Sequence, residues 1–326
     1  CFGFYHPIFL YLTPKQNIMK IFKLAILLVL LSSITPGCQK SIDILKETPT
    51  IQLTDEYRLM TPAYYRESED GASIQVRFYE SPRIYDLSKS HKDFDAIKTL
   101  IDESRDAKIP MRVVEGNKVM PFISLTAAAK PSAQEILDAA TKYDVTTEPD
   151  IFKKYVPSMT ILNGIFDYCA SQGCATGTST IDYCIPFQYV VDGCYARAHK
   201  MRQIMLEEYN VSCEKVFSYE DVTGFLAVDA GDCCVYWWYH VAPLVTLKGA
   251  DGSFTKWVVD PSMFNEPVSI ETWTGAQENL SCSPAANWGY YEITQGKIYG
   301  PGGSTDNSYT STNWTLQAYA NLETCD

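Results

Sequence analysis

The distribution of cysteines is the feature that most limits how this chain can fold. Nine of its eleven cysteines lie between Cys169 and Cys325, and none lies between Cys38 and Cys169. Disulfides persist outside the cytoplasm, where they stabilise small domains. We therefore predict a disulfide-stabilised domain in the second half of the chain and a separate, cysteine-free domain before it. Because nine is odd, one cysteine should stay reduced or pair between chains.

Cys194 is the candidate for the reduced cysteine. It lies in VDGCYARAHKM (191–201), after an Asp-Gly turn and at the start of a predicted helix, for which Asp192 and Gly193 are candidate caps. The helix is predicted from apolar residues at helical spacing, namely Met201, Ile204, Met205 and Tyr209. Backbone N–H groups at a helix start stabilise a thiolate, as do nearby cations. The nearby cationic residues are Arg197, His199 and Lys200. We expect a lowered pKa for the Cys194 thiol, with a structural disulfide as the alternative.

The remaining eight cysteines of this half are expected to form four disulfides. Cys233 and Cys234 are adjacent, and disulfide geometry disfavours a bond between neighbours. Each should therefore reach a different partner. The sequence leaves the rest of the pairing open, since eight cysteines allow 105 pairings.

Two histidines in this half are available to assist a cysteine nucleophile. His199 is five residues beyond Cys194 on the same predicted helix, about 140° around the axis, so it should not face the thiol. His240 lies in CCVYWWYHVAPLVTL (233–247), which is predicted to be a buried strand, where a structural core histidine is the alternative. With so few histidines and no ligand spacing, we predict no metal site and no cofactor.

Asp260 is the candidate partner of His240. The strand FTKWVVD (254–260) follows a short connection and should form an antiparallel hairpin with the strand of His240. A loop of three or five residues centred on Ala250 would place His240 opposite Asp260, with Cβ atoms about 5 Å apart. An aspartate there would fix the imidazole tautomer. A turn or cap role is the alternative for Asp260.

Three segments resemble the catalytic segments of bacterial protein-glutaminases, which are protein deamidases. The segments are DGCYARAHKMRQI, CCVYWWYHVAPLV and VVDPSMF. The resemblance covers residues 184–273 and extends over 155–326. It implies an α+β fold with a transglutaminase/papain-like catalytic domain, in which the nucleophile starts a helix packed on an antiparallel sheet.

The resemblance also implies the reaction. Cys194 would be the nucleophile, His240 the general base and acid, and Asp260 the orienting carboxylate in deamidation of protein-bound glutamine through a thioester. The backbone N–H of Cys194 is a candidate oxyanion donor. Aromatic residues that could form the walls of a glutamine slot are Trp237, Trp238, Tyr239 and Trp257, with a structural core position as the alternative for each. A cysteine protease or transglutaminase of the same superfamily and a non-catalytic disulfide-stabilised binding module remain alternatives.

The rest of the chain is divided as follows. Residues 1–18 are expected to be upstream sequence, 19–38 a signal peptide with a lipobox-like end, 39–150 a small α+β prosegment domain, and 151–326 the catalytic domain. The prosegment is expected to be inhibitory, with a permanent substrate-recruiting or spacer domain as the alternative. Cys38 would be lipidated, and the protein would be an outer-membrane lipoprotein or periplasmic, released or secreted after processing.

Patterns in 39–150 predict strands at 73–80 and 111–125, the latter region as two strands around a Gly-Asn turn, and a helix over 93–104. Ser132 and Glu135 form a capping-box signature for a helix to about Tyr143, before a linker at 144–150. The formal net charge of −12 argues against a nucleic-acid partner. The expected partners are proteins or peptides with exposed glutamine. We expect a monomer that meets a membrane only through a lipid on Cys38.

Overall fold

The computed structural model describes residues 56–119, 122–142 and 151–325. All of them belong to one compact unit, Pro49–Asp326. Within these three ranges, no helix has the length and apolar character needed to cross a membrane. Several predictions concern residues outside them: the upstream sequence 1–18, the signal peptide 19–38 with Cys38, and the linker 144–150.

Residues 56–142 fold around a six-stranded sheet. Its elements are β1 (Arg58–Met60), β2 (Pro62–Glu67), β3 (Ser73–Phe78), β4 (Ser81–Ser88), α1 (Phe94–Ala107), β5 (Met111–Val119), β6 (Phe122–Ala129) and α2 (Ala133–Ala140). The strand order is β1-β5-β6-β4-β3-β2, with only β4 and β6 parallel among the described pairs. Ile97 and Ile101 of α1 enter the same apolar core as Val76 and Tyr85 of the sheet. This segment therefore has a core of its own.

Most elements predicted for this segment are confirmed. The strand at 73–80 and the helix at 93–104 are present, and Ser132 and Glu135 form the capping box. The turn predicted at Gly116 is wrong. Strand β5 continues through this position to Val119, and its pairing with β6 is irregular on both sides of Glu115, as in a β-bulge. Helix α2 ends at Ala140, earlier than predicted.

Residues 151–325 form a second layered structure. Its elements are α3 (Met159–Ser171), a 3₁₀ turn (Cys174–Thr176), α4 (Cys194–Tyr209), β7 (Glu214–Glu220), β8 (Leu226–Asp229), β9 (Cys234–Trp237), β10 (Tyr239–Lys248), β11 (Phe254–Val258), α5 (Ile270–Gly275), β12 (Trp288–Gln295) and α6 (Thr310–Tyr319). An antiparallel sheet has the order β11-β10-β7-β12, and β8 and β9 form a two-stranded sheet.

Helix α4 packs against this antiparallel sheet. Ala198 and Met201 of α4 share an apolar core with Phe217 of β7 and Val241 of β10. The predicted fold is thus confirmed: an α+β protein in which Cys194 starts a helix that packs on an antiparallel sheet.

The long strand predicted at 233–247 is divided in two. β9 pairs with β8, whereas β10 pairs with β7, and Trp238 lies between them. The hairpin of β10 and β11 is confirmed, but its five-residue loop is centred on Asp251 and not on Ala250. Each residue of β10 therefore lies opposite a residue two positions further along β11 than predicted, so that Leu244 is opposite Val258. The predicted register is wrong, and β11 ends two residues before Asp260.

Three disulfides link the described cysteines of this half. They are Cys174–Cys184, Cys233–Cys325 and Cys234–Cys282. The different partners expected for Cys233 and Cys234 are confirmed. The expectation of four bridges is wrong, because Cys169 and Cys213 are buried thiols, as is Cys194. A buried cysteine packs as a small apolar side chain, so burial does not require oxidation.

Candidate active site

Cys194 is the first residue of α4, directly after a glycine in the left-handed conformation. Gly193 has φ 79°. A Cβ on Gly193 would lie 2.9 Å from the ring of Tyr319, so space and backbone conformation both require glycine here. The Cys194 side chain is buried. The sequence prediction for the position of this cysteine is therefore confirmed.

The expected lowering of the Cys194 pKa is wrong for the chain in this form. Burial raises the pKa of the Cys194 thiol to about 12, and it outweighs the charge of Arg197 and a backbone hydrogen bond from Val241, which both act to lower it. Nη1 of Arg197 donates to the carbonyl oxygens of Tyr189 and Asp192 at 2.7 Å. Burial removes the water that would solvate a thiolate, and this cost is larger than the stabilisation that a helix start gives to the thiolate.

His240 and Asp260 are in direct contact. Nε2 of His240 lies 2.8 Å from Oδ2 of Asp260, and both side chains are buried. Asp260 also accepts from Nε1 of Trp273 at 2.9 Å and from the hydroxyl of Ser262. Burial acts to raise the Asp260 pKa, but the charge of His240 and these hydrogen bonds lower it to about 2. Asp260 is therefore a carboxylate near neutral pH.

Two indole rings hold the imidazole of His240. The ring of Trp237 stacks on it at a centroid distance of 4.5 Å and an angle of 9°, and that of Trp273 stacks at 5.4 Å and 29°. Nδ1 of His240 is buried and has no hydrogen-bond partner among the described residues. Because Nε2 of His240 is hydrogen-bonded to Asp260, Nδ1 is the nitrogen that can exchange a proton with the Cys194 thiol.

The thiol of Cys194 lies beside the residue that follows His240. Cys194 and Val241 share an apolar core; the backbone N–H of Val241 acts to lower the pKa of the thiol, and the charge of Asp260 acts to raise it. The structure therefore brings the three candidate residues to one place, although they come from a helix start, a strand and a turn. The buried strand histidine is confirmed, and its partner is a carboxylate.

His199 has a separate environment, as expected from its position on the helix. Nδ1 of His199 is 2.9 Å from Nζ of Lys215, and Nε2 is 3.2 Å from the backbone oxygen of Asp306. The amine of Lys215 donates to Nδ1, so Nε2 carries the proton and donates to the carbonyl. Burial and the charge of Lys215 lower the His199 pKa well below its ordinary value. His199 is a neutral core residue.

The aromatic residues expected to line a slot have different roles. Trp237 stacks on His240, whereas Trp238 is buried and its indole N–H donates to the carbonyl of Ser81 at 2.7 Å. The hydroxyl of Tyr239 is 3.4 Å from the carbonyl of Tyr79. Trp257 is half-buried, and its indole N–H donates to Thr255 in β11. Trp273 and Ser262, which support Asp260, lack a sequence signal that marks them.

The first two residues of β4 contact this region; β4 belongs to residues 56–142, called the first domain below. The backbone N–H of Trp238 donates to the carbonyl of Pro82 at 2.9 Å, next to the contact between Ser81 and the Trp238 indole. Trp238 precedes His240 by two residues. Residues 79–82 therefore lie on the strand junction that leads into the candidate site.

Two carboxylates of residues 151–325 form ion pairs with the first domain on either side of this contact. Asp192, two residues before Cys194, accepts a hydrogen bond from Arg58 at 2.9 Å and forms an ion pair with Arg83 at 3.2 Å. Glu220, at the end of β7, accepts from Arg77 at 2.7 Å. Asp192 and Glu220 are both buried, so each of these charges needs its partner.

In the described part of the chain, no group of three or more His, Cys, Asp or Glu side chains is arranged to bind a metal ion. The described geometry instead offers a thiol, an imidazole with one free nitrogen and a carboxylate. This set is suited to acyl transfer, because the imidazole can take a thiol proton and later give it to a leaving amine.

Comparisons with known proteins give the following matches. A family model described as Glutaminase matches residues 162–277. The chain is similar to the crystal structure of pro-protein-glutaminase, with 29% identity and a TM-score of 0.71 over 83% of this chain and 96% of that chain. A mutant of pro-protein-glutaminase matches with 30% identity and the same TM-score and coverage.

The NMR structure of protein-glutaminase from Chryseobacterium proteolyticum matches with 41% identity over 53% of this chain and 93% of that chain, with a TM-score of 0.48. The comparison with curated protein sequences gives no match.

Proposed function

Because the chain belongs to the protein-glutaminase family, we propose that it hydrolyses the side-chain amide of protein-bound glutamine with a triad of Cys194, His240 and Asp260. The observation that carries this assignment is the 2.8 Å contact between His240 and Asp260, together with the position of Cys194 at a helix start that shares an apolar core with Val241, the residue after His240. The products are protein-bound glutamate and ammonia.

The reaction proceeds through a thioester. Nδ1 of His240 takes the proton of the Cys194 thiol, and the thiolate attacks the side-chain amide carbon of glutamine. The protonated His240 then gives its proton to the departing nitrogen, so that ammonia leaves. Water, deprotonated by His240, hydrolyses the thioester and releases glutamate and the thiol.

Protein groups stabilise the charges that form in these steps. Asp260 stabilises the imidazolium form of His240, and the stacked rings of Trp237 and Trp273 fix its plane. The backbone N–H of Cys194 lies in the first turn of α4, where the helix leaves N–H groups without internal acceptors, and it is one oxyanion donor.

Residues 39–150 serve as an inhibitory prosegment, and 151–326 are the catalytic domain. Support comes from the contacts of 79–82 with Trp238 and from the ion pairs at Asp192 and Glu220. The match with pro-protein-glutaminase extends over both parts of the chain. Cleavage should fall before Lys153, because Lys153 and Val156 form backbone hydrogen bonds with Asn210 and Thr246 of the catalytic half.

Limited proteolysis of the full chain tests the inhibition. Cutting within 143–152 should raise glutamine deamidation. The uncut double variant Arg58→Met with Arg83→Met should also gain activity, because it removes both cations from Asp192. Lys98→Met is the matched control, since Lys98 pairs with Asp102 inside the first domain. Equal activity of cut and uncut chain would show that the segment does not inhibit.

The type of reaction is tested with an unrelated glutamine-rich protein. The activated chain should release ammonia and add about 1 Da per site, without fragments or cross-linked species. New peptides without ammonia would instead indicate a cysteine protease, and ammonia with covalent dimers a transglutaminase. The binding-module alternative required a bridged Cys194, whereas Cys194 is a thiol.

The disulfides support an extracytoplasmic location. We place the chain on the outer membrane through a lipid on Cys38 or in the periplasm, with release of the catalytic half on cleavage. Labelling with a radioactive fatty acid, compared between the full-length chain and Cys38→Ser, tests the lipid. Equal labelling of the two chains would contradict it.

A further inference from the structure

We infer that Glu220 forms a subsite for an arginine side chain of the protein substrate close to the target glutamine. The inference rests on the proposed function, because it requires the first domain to leave the catalytic half. It concerns which glutamine is selected rather than how the amide is hydrolysed.

Glu220 already holds a guanidinium in this structure. Nε and Nη2 of Arg77 donate to its two carboxylate oxygens at 2.7 and 3.3 Å, and the Arg77 side chain is fully buried. Nη2 of Arg66 donates at 3.1 Å and the hydroxyl of Tyr64 at 2.6 Å. The two-point contact with Arg77 is the geometry by which a carboxylate recognises arginine.

Every partner of this carboxylate among the described residues belongs to the first domain. Tyr64, Arg66 and Arg77 all lie in β2 and β3, on the far side of the proposed cleavage region. Removal of the first domain would therefore leave Glu220 as an unpaired carboxylate on the surface that Arg77 had covered. An anionic group freed in this way attracts a cation.

The position of Glu220 connects this carboxylate to the catalytic residues. Its backbone N–H donates to the carbonyl of Trp238 at 2.9 Å, and Trp238 precedes His240 by two residues. Ser218, two residues before Glu220 on the same strand, pairs with His240 across β7 and β10. The subsite is thus within a few residues of the reacting amide for an extended substrate, which advances about 3.3 Å per residue.

Trp238, whose backbone carbonyl accepts from Glu220, belongs to a set of aromatic rings in the catalytic half. Trp238, Tyr219 and Tyr290 form a continuous set, with centroid distances of 6.1 Å for Trp238 to Tyr219 and 4.8 Å for Tyr219 to Tyr290. All three belong to the catalytic half and remain after cleavage. Arg77 lies over the ring of Tyr64 at 5.5 Å, and this ring leaves with the first domain. Among the cations of a substrate, the planar guanidinium of arginine still matches the two carboxylate oxygens of Glu220 better than the ammonium of lysine does.

The test is a substrate scan with the full-length chain activated by proteolysis. Each nonapeptide carries one central glutamine, and arginine or its neutral isostere citrulline occupies one flanking position at a time. Ammonia release gives kcat/KM for each member of a pair. We expect arginine to be preferred about threefold to tenfold at one or two positions, as for an ion pair at a partly covered site.

Variants identify the residue responsible. Glu220→Gln should bring the arginine-to-citrulline ratio close to one, and Glu220→Lys should favour glutamate at the same position. Glu214→Gln is the matched control, since Glu214 is at the other end of β7 and pairs with Lys256. If Glu220→Gln fails to fold because Arg77 is left buried without its partner, the double variant Arg77→Met with Glu220→Gln replaces it.

The outcomes separate this inference from the proposed function. Ammonia release with no preference for arginine, or with a preference that survives in the Glu220 variants, would overturn the subsite alone. Release of no ammonia from any peptide would overturn the proposed function and the subsite with it. A ratio lost in the Glu220 variants and kept in Glu214→Gln supports the subsite.

Discussion

His240 and Asp260 form a 2.8 Å hydrogen bond although they are not opposite each other in the β10–β11 hairpin. Asp260 reaches the imidazole from the turn after β11, where Ser262 and Trp273 hold its carboxylate. In this arrangement Nε2 of His240 binds the carboxylate, and Nδ1 stays available for the proton of the Cys194 thiol. The tautomer of His240 is therefore set by residues outside the strand that carries it.

Substitution of each triad residue should separate activity from folding. Cys194→Ala and His240→Ala are expected to lower kcat of the activated chain at least about 10⁴-fold, because nucleophile and base act as a unit. Asp260→Asn should retain more activity, with a loss of about 10²-fold to 10⁴-fold, because the tautomer is no longer fixed. Ammonia release measures the rates.

The control for these variants is Cys169→Ala, which removes a buried thiol on α3 outside the site. Circular dichroism and thermal unfolding show whether each variant is folded. A folded Cys194→Ala chain with full activity would contradict the assignment.

Trp273 is expected to act as a positioning residue through Asp260. Trp273→Phe keeps a ring beside His240 but removes the indole N–H that donates to Asp260 at 2.9 Å. Loss of a hydrogen bond to a charged group should lower kcat about threefold to tenfold with little change in KM. The acidic limb of the profile of kcat against pH should move to higher pH, because the Asp260 carboxylate loses a hydrogen bond that stabilises its charged form.

Trp314→Phe, at an exposed indole on α6, is the matched control for Trp273→Phe. A proportional rise in KM at unchanged kcat would instead place Trp273 in substrate binding.

The local elements of this chain could be predicted because their signals lie within a few residues. The capping box of Ser132 and Glu135 and the helix start at Cys194 follow from neighbouring side chains and turn residues. The hairpin itself was also predictable. Its register was not, since a one-residue shift of the loop centre from Ala250 to Asp251 has no counterpart in the apolar pattern.

Long-range contacts explain what the sequence could not predict. The raised pKa of Cys194 results first from burial. Trp238, two residues before His240, is covered by Ser81, which lies 157 residues earlier in the chain. The hydrogen bond that the Trp273 indole donates to Asp260 likewise depends on how α5 packs. Periodicity reports which face of an element is buried but not which distant residue buries it.

The charge state of Asp260 should contribute to stability in a defined pH range. Its pKa is lowered from 3.8 to about 2 in the folded chain, despite the opposing effect of burial. A lowered folded-state pKa stabilises the protein above about pH 4, and this contribution of about 2 kcal/mol is lost as the pH falls from about 4 to 2. Urea unfolding between pH 6 and pH 3 should therefore show a steeper loss in the wild-type chain than in Asp260→Asn.

Asp232→Asn, at an exposed residue, controls for the loss of one charge. If the free energy of unfolding depends on pH in the same way in the wild-type chain and in Asp260→Asn, the pKa of Asp260 is not lowered by its partners.

The reactivity of Cys194 should depend on the first domain. In the uncleaved chain, burial raises the pKa of this thiol to about 12, so very little thiolate exists at pH 7.5. Cleavage within 143–152 and release of the first domain would admit water and relieve this penalty. The helix start, the charge of Arg197 and the backbone hydrogen bond from Val241, which all favour the thiolate, belong to the catalytic half and would remain.

We therefore expect iodoacetamide to alkylate Cys194 at least about tenfold faster after cleavage, as followed by peptide mass mapping at pH 7.5. Cys169 is the internal control, because it is buried within the apolar core of the catalytic half and should stay slow in both forms. Cys194→Ser identifies the fast-reacting thiol by its loss. If Cys194 reacts at the same rate before and after cleavage, the first domain does not control the nucleophile, and inhibition must be sought in substrate access alone.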